Sequence, residues 1–265
     1  MKVFISADIE GITTTTRWEE TDSKHASYPK HAEQMTNEVL AVVQGALSAG
    51  ATQIVIKDAH GPGYNIDPTR MPKEVTLIRG THGSPDLMVQ GVDSSFDAAM
   101  FVGYHSAAAH DGNPLAHTIS GSHTGITING RDASEFMIYS LAVARYSVPT
   151  VFLAGDKLLC EEYADLHPNL LTVAVKDGRG GSTFCRSTES TLPELRATSE
   201  KALTQHLESA AITLPKEFEV TITYNSHVKA EKVSFFPDVK RLASNVVGFT
   251  RQDYFEVLRT LLWII

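Results

Sequence analysis

The chain predicts an α/β fold, with a mainly parallel sheet and flanking helices in its N-terminal domain and a smaller α+β C-terminal region. Three observations lead there. Short β-branched apolar runs alternate with helical spacing through the first 155 residues. Strand–helix–strand order implies right-handed parallel crossovers and a sheet covered on both faces. Beyond that stretch the segments become mixed. The boundary is placed in residues 176–186 (KDGRGGSTFCR), with an α/β domain over residues 1–176 and a smaller α+β domain over 177–265.

Taken in order, KVFISA (Lys2–Ala7) is short and apolar and reads as a buried strand. A Thr-rich polar loop follows. Residues 29–49 carry Met35, Val39, Val42, Val43, Ala46 and Leu47 on one helical face, with Gly50 as the stop. Residues 53–57 and 97–103 are further buried strands, and 75–78 is a short one. Residues 118–132 alternate β-branched residues with Gly, Ser and Asn, and Asn129-Gly130 is a hairpin turn. That stretch reads as an antiparallel insertion. Helical spacing resumes over 133–146, a strand over 150–153, a helix over 161–166 and a strand over 171–175. Residues 192–211 form an amphipathic helix, 219–224 a strand and 251–263 a closing helix. The Gly-rich GRGGS lacks the lysine and context of a phosphate loop and reads as a flexible connector.

Composition excludes several classes of function. Of 265 residues, 42% are hydrophobic and 20% charged, an ordinary globular balance with enough chain for a core. There are 31 acidic and 23 basic side chains, for a net charge of −8, and no basic stripe, which argues against a nucleic-acid partner. Cys160 and Cys185 make neither a disulfide framework nor a zinc-ribbon pair, so a reducing, cytoplasmic setting is expected. Asp8 and Glu10 interrupt any secretory apolar segment. No run approaches the roughly 18–20 apolar residues of a membrane span, so no membrane partner is expected. The terminal LLWII reads as the end of a helix docked on the core.

Ligands of open parallel sheets bind beyond the carboxyl ends of the strands. The first strand delivers Asp8 and Glu10 there, the second Asp58 and His60, and the strand at 97–103 delivers His105. Residues two apart on an extended chain point to the same side. Crowded carboxylates repel one another unless a cation intervenes, and mixed His/Asp/Glu ligation suits zinc. Each signal alone is more often a cap, a turn or a satisfied histidine; three at equivalent strand ends are harder to dismiss.

His117 and Glu135 flank the hairpin region. Glu135 also reads as a favourable charge in the first turn of a helix. His123 reads as exposed on a β-edge. Asp58 reads equally as a residue orienting a ligand or as a turn residue. The other histidines have polar or mixed neighbours and read as surface residues, His110 the least securely because it lies close to His105.

Together the blocks SADIEG, KDAHG, GYHS, LAHTISG and NGRDASE resemble the zinc-dependent D-aminopeptidase family. They occur in order, with similar spacing, over residues 1 to about 155. The resemblance implies that Asp8, Glu10, His60, His105 and Glu135 bind two Zn²⁺ ions per chain, with Asp8 bridging. It places His117 on the family's catalytic histidine. It implies hydrolysis of the N-terminal residue of short, D-amino-acid-containing peptides, and a homo-oligomeric ring, a decamer, around a central channel. The Thr13–Thr16 run follows the first block and is expected near the mouth, where it would set substrate preference. Two alternatives keep the fold: a zinc amidohydrolase acting on a small non-peptide amide, and a catalytically silent assembly protein. Phosphoester hydrolysis is disfavoured because the blocks carry little basic charge beyond Lys57, whose side chain should alternate away from the site.

Overall fold

The computed structural model describes the chain from Met1 to Ile265 apart from Asp165. Seven strands build the main sheet: β1 (Lys2–Ala7), β2 (Gln53–Asp58), β3 (Val75–Ile78), β4 (Ala98–Tyr104), β7 (Thr150–Asp156), β8 (Leu171–Arg179) and β9 (Ser182–Cys185). Their order is β3-β2-β1-β4-β7-β8-β9, parallel throughout except for the antiparallel β8–β9 pair. The central strands β1, β4 and β7 are apolar and almost wholly buried, as a parallel sheet covered on both faces requires.

One face is covered by α1 (Tyr28–Ser48) and α4 (Thr188–Thr204), which pack on each other. Val39, Val42, Val43 and Ala46 of α1 meet Val3, Ile5 and Ile54 of the sheet in that core. Gly50, with φ +92°, ends the helix turn as expected. The opposite face receives α2 (Glu135–Ala144) and α3 (Lys157–Leu166). There Phe101, Tyr104, Phe136 and Tyr163 stack edge to face.

A second, antiparallel sheet has the order β11-β12-β10-β5-β6. It comprises β5 (His123–Ile128), β6 (Arg131–Asp132), β10 (Phe218–Tyr224), β11 (Lys240–Ala243) and β12 (Val246–Arg251). The hairpin at Asn129-Gly130 has both residues at positive φ, 52° and 76°. The closing helices α5 (His227–Val233) and α6 (Tyr254–Ile264) pack on this sheet, and α6 also meets α2. Leu261 and Ile264 are buried, so LLWII does end a docked helix, although Trp263 points outward. The second sheet draws strands from both sides of residue 176.

The GRGGS segment is not a loose connector. It forms the turn of the β8–β9 hairpin, and Lys176 just before it is buried. Its glycines serve the reversal, Gly180 adopting φ +54°. Among the described residues, no helix is long and apolar enough to cross a membrane.

Candidate metal centre

In the main sheet β1 lies between β2 and β4, so the chain winds outward in both directions from the β1/β4 pair. Register pairs Ala7 with both Asp58 and Val102, which brings the carboxyl ends of the three strands level. Asp8, Glu10, His60 and His105 follow those ends. Glu135 reaches them from the first turn of α2, whose N-cap Ser134 accepts from Met137 N–H. His117 arrives on the loop between β4 and β5.

These six side chains converge. His60 Nδ1 lies 3.4 Å from Asp8 Oδ1 and 3.0 Å from Glu10 Oε2. His105 Nε2 lies 3.5 Å from Asp8 Oδ2 and 3.3 Å from Glu135 Oε2. His117 Nε2 lies 3.4 Å from Glu135 Oε1, and its ring stacks on His105 at 4.4 Å. Asp8 therefore turns one oxygen toward each of two imidazole–carboxylate sets.

The short contacts are not hydrogen bonds in alignment. Asp8 Oδ2, Glu10 Oε2 and His105 Nε2 are buried without a hydrogen-bond partner. Leaving three such atoms dry is costly unless they share a cation. Ligand atoms of Asp8, Glu10 and His105 lie within 4.8 Å of one another, as do those of His105, His117 and Glu135. The donor set fits zinc.

The outer ring nitrogens fix which atom faces inward. His60 Nε2–H donates to Thr21 O at 3.1 Å, His105 Nδ1–H to Ser106 O at 3.0 Å, and His117 Nδ1–H to Leu115 O at 2.9 Å. Each imidazole thus keeps one lone pair for the cluster, as metal-ligating histidines do.

Electrostatics carry the same signature. Burial, then the Glu10 charge, pushes the Asp8 carboxyl well above its ordinary range. Burial also works against the ionised forms of Glu10 and Glu135, but His60 beside Glu10, and His105 and His117 beside Glu135, hold both below the usual glutamate value. Burial disfavours charge on His60, yet Glu10 and Asp8 lift it well above an ordinary histidine. The same opposition, won by Glu135, raises His105 to about 10. Without a cation the carboxylates hold protons on His60 and His105.

Several supporting residues differ from expectation. Asp58 does not touch a ligand ring: its carboxylate accepts from Asn65 N, Asn65 Nδ2 and Ile66 N at 2.6–2.9 Å, bracing the loop that carries His60. Lys57 lines the cavity wall instead of alternating away, but its ammonium is engaged by Asp58 O and Gly80 O. The Thr13–Thr16 run turns inward. Thr15 bonds Ile9 O, and Thr16 bonds Thr183. The mouth is walled instead by the segment that follows, with Trp18 packed edge-on against His117. His123 is buried, with neither ring nitrogen partnered, and lies opposite Tyr224 of β10 rather than on an exposed edge. His110 stays outside the cluster and pairs with Glu162 and Asp132.

Sequence reading missed Lys176 and Asp156, and singled out Asn225 without assigning it a role. The Lys176 ammonium donates to Thr15 O at 2.6 Å and to Glu10 O, pinning the loop after β1. Asn225 Nδ2 holds Gly121 O at the mouth. Gly11 and Gly103 let the strand ends approach each other. A Cβ on Gly11 would stand 1.8 Å from Tyr104 O, and one on Gly103 2.1 Å from Asp8 O.

The cluster opens into a cavity of about 710 Å³. A family model described as peptidase M55, D-aminopeptidase, matches residues 1–263. The D-aminopeptidase of Bacillus subtilis (strain 168) is 28% identical over 269 residues, spanning 99% of this chain and 96% of that protein. The solved structure of the Zn-dependent D-aminopeptidase DppA from Bacillus subtilis, described as a self-compartmentalizing protease, superposes with a TM-score of 0.93 at 26% identity. That match covers 100% of this chain and 96% of the other. With the family pattern running almost from end to end, the chain belongs to peptidase family M55, the D-aminopeptidases.

Proposed function

We propose that the chain is a dinuclear zinc aminopeptidase that removes the N-terminal residue of short peptides, preferring those that contain D-amino acids. The observation that carries this is the division of Asp8: Oδ1 toward His60, which also meets Glu10, and Oδ2 toward His105, which also meets Glu135. One zinc would be held by Asp8, Glu10 and His60, the other by Asp8, His105 and Glu135. Mixed imidazole and carboxylate ligation is what zinc takes in such sites. Bound there, zinc supplies Lewis acidity toward a scissile carbonyl and toward water.

The chain's own residues do the rest. Asp8, Glu10 and Glu135 bring three negative charges, fewer than the four positive charges of two Zn²⁺, so the site favours developing negative charge on a substrate oxygen. His117 has Nδ1 anchored on Leu115 O and Nε2 turned to the cavity, placed to take a proton and deliver it to the leaving amine. Trp18 packs against that ring and limits its movement.

The zinc dependence and D-aminopeptidase activity named for the Bacillus relatives support the metal and the substrate class. Self-compartmentalization of the solved relative supports a homo-oligomeric assembly for this chain; the decameric ring and the cytoplasmic setting are part of the same proposal. Phe235 and Trp263, 79% and 71% exposed, provide apolar surface that a second copy would cover.

The test is hydrolysis of D-Ala and L-Ala para-nitroanilides by zinc-loaded protein, with and without chelator. Chelator-sensitive release, faster for the D form, is expected. Activity that survives complete zinc removal, or none on either enantiomer, would overturn the proposal.

A further inference from the structure

Glu135 enters the metal cluster from the first turn of α2. Ile138 and Tyr139, three and four residues on, lie on the same helical face and are buried. They lead into a second cavity of about 180 Å³, walled also by Leu258, Leu261 and Leu262 of α6. Leu87, Ile119, Ser120 and Tyr139 border both this cavity and the large one that holds the metal cluster. Apart from Ser120 and the Tyr139 hydroxyl, the side chains of its walls are hydrocarbon.

Two of the shared residues sit in left-handed backbone, Leu87 at φ 30° and Ile119 at φ 66°. Ile119 is the centre of a three-residue turn closed by Ser120 N–H on Thr118 O at 2.7 Å. A β-branched residue in that turn is rare and strained. The Ile119 N–H donates to Glu135 Oε1 at 2.6 Å, so the strained turn is tied to the cluster itself. Ile119 is thereby held at the border of the two cavities, one hydrogen bond from the metal site.

We propose that this small cavity is a specificity pocket for a branched aliphatic or phenyl side chain on the substrate residue whose carbonyl is attacked. The proposal rests on the aminopeptidase reading above and deepens it. The cavity exceeds the roughly 150 Å³ apolar space known to accept benzene. A methyl group would leave it unfilled, whereas a larger apolar side chain gains by burial there. None of the α6 residues in this wall is among those that hold zinc or move protons, so the pocket can be altered without replacing a residue of the chemistry.

The experiment compares alanyl, leucyl and phenylalanyl para-nitroanilides, in both enantiomers, on zinc-loaded wild type and on Leu262→Trp. Leu262 is only partly buried, and a Leu262→Phe variant provides a milder filling should the tryptophan unfold the chain. Within the preferred enantiomer, wild type is expected to favour the leucyl or phenylalanyl substrate over alanyl by roughly tenfold or more in kcat/KM. Filling the pocket should erase that preference while alanyl turnover stays within about twofold. Equal or better wild-type turnover of the alanyl substrate, or an equal loss on all three substrates in the filled variants, overturns the pocket and leaves the aminopeptidase reading standing. Absence of turnover on every substrate overturns both.

Discussion

The Asp156 carboxylate accepts both the backbone N–H of Ser106, at 2.7 Å, and its hydroxyl, at 2.6 Å, and the Ser106 carbonyl in turn takes the Nδ1–H of His105. Asp156 also caps α3 through Leu159 N. One buried carboxylate at the end of β7 therefore sets the ring orientation of a metal-facing histidine on the neighbouring strand. Asp156→Asn keeps the volume and loses one of the two acceptors. Zinc affinity measured by chelator competition should fall about 10–100-fold at one of the two sites. Unchanged affinity at both would show that Ser106 needs no such anchor.

Gly103 has φ +73°, and its α-carbon faces Asp8 O closely enough that a Cβ would stand 2.1 Å away. Gly103→Ala meets both a left-handed backbone and a backbone oxygen that cannot move without displacing Asp8. Urea unfolding should show a loss of about 3 kcal/mol or more. A loss below about 1 kcal/mol would mean that the β1 and β4 ends have room to separate.

His123 gives a pH signature separate from the metal. Burial, and then the nearby Lys229 charge, lower its imidazole to about 4. The unfolded chain binds a proton near 6.5 that the folded chain refuses until about 4. Folding stability from this group is therefore complete above pH 6.5 and drains away as pH falls toward 4. After allowance for solvent screening the loss amounts to roughly 2 kcal/mol. Metal-stripped wild type and His123→Phe, unfolded in urea across that window, should differ in slope by this amount. Parallel curves would show that His123 is protonated alike in both states.

Much of the site was legible because parallel topology makes strand ends predictable. Once KVFISA, residues 53–57 and residues 97–103 read as strands, Asp8, His60 and His105 had to emerge at one edge. What escaped reading depended on contacts between distant segments. The strands β9, β11 and β12 are short, so alternation over four to six residues is weak evidence by itself, and the partner that holds β12 in the sheet is the distant β10. His123 alternates with polar neighbours like an edge residue, yet it is buried opposite Tyr224 of β10, a partner about a hundred residues away. The Thr13–Thr16 hydroxyls looked free for substrate, but Ile9 O, His31 and Thr183 claim them. Asp156 followed an apolar strand and preceded a helix, the signal of a cap, and nothing in the sequence linked it to Ser106.

His117 shares Glu135 with His105 at ligand-like distances, so the variant His117→Ala separates its two possible duties. Proton transfer without ligation predicts a loss of about 100-fold or more in kcat with zinc content unchanged. Loss of one zinc along with activity would make His117 a ligand instead.

The most direct test is the zinc content of wild-type protein purified without chelator, determined by elemental analysis against protein concentration. The shared carboxylate of Asp8 predicts about two zinc ions per chain. A saturating content of one, or none, would contradict the dinuclear centre.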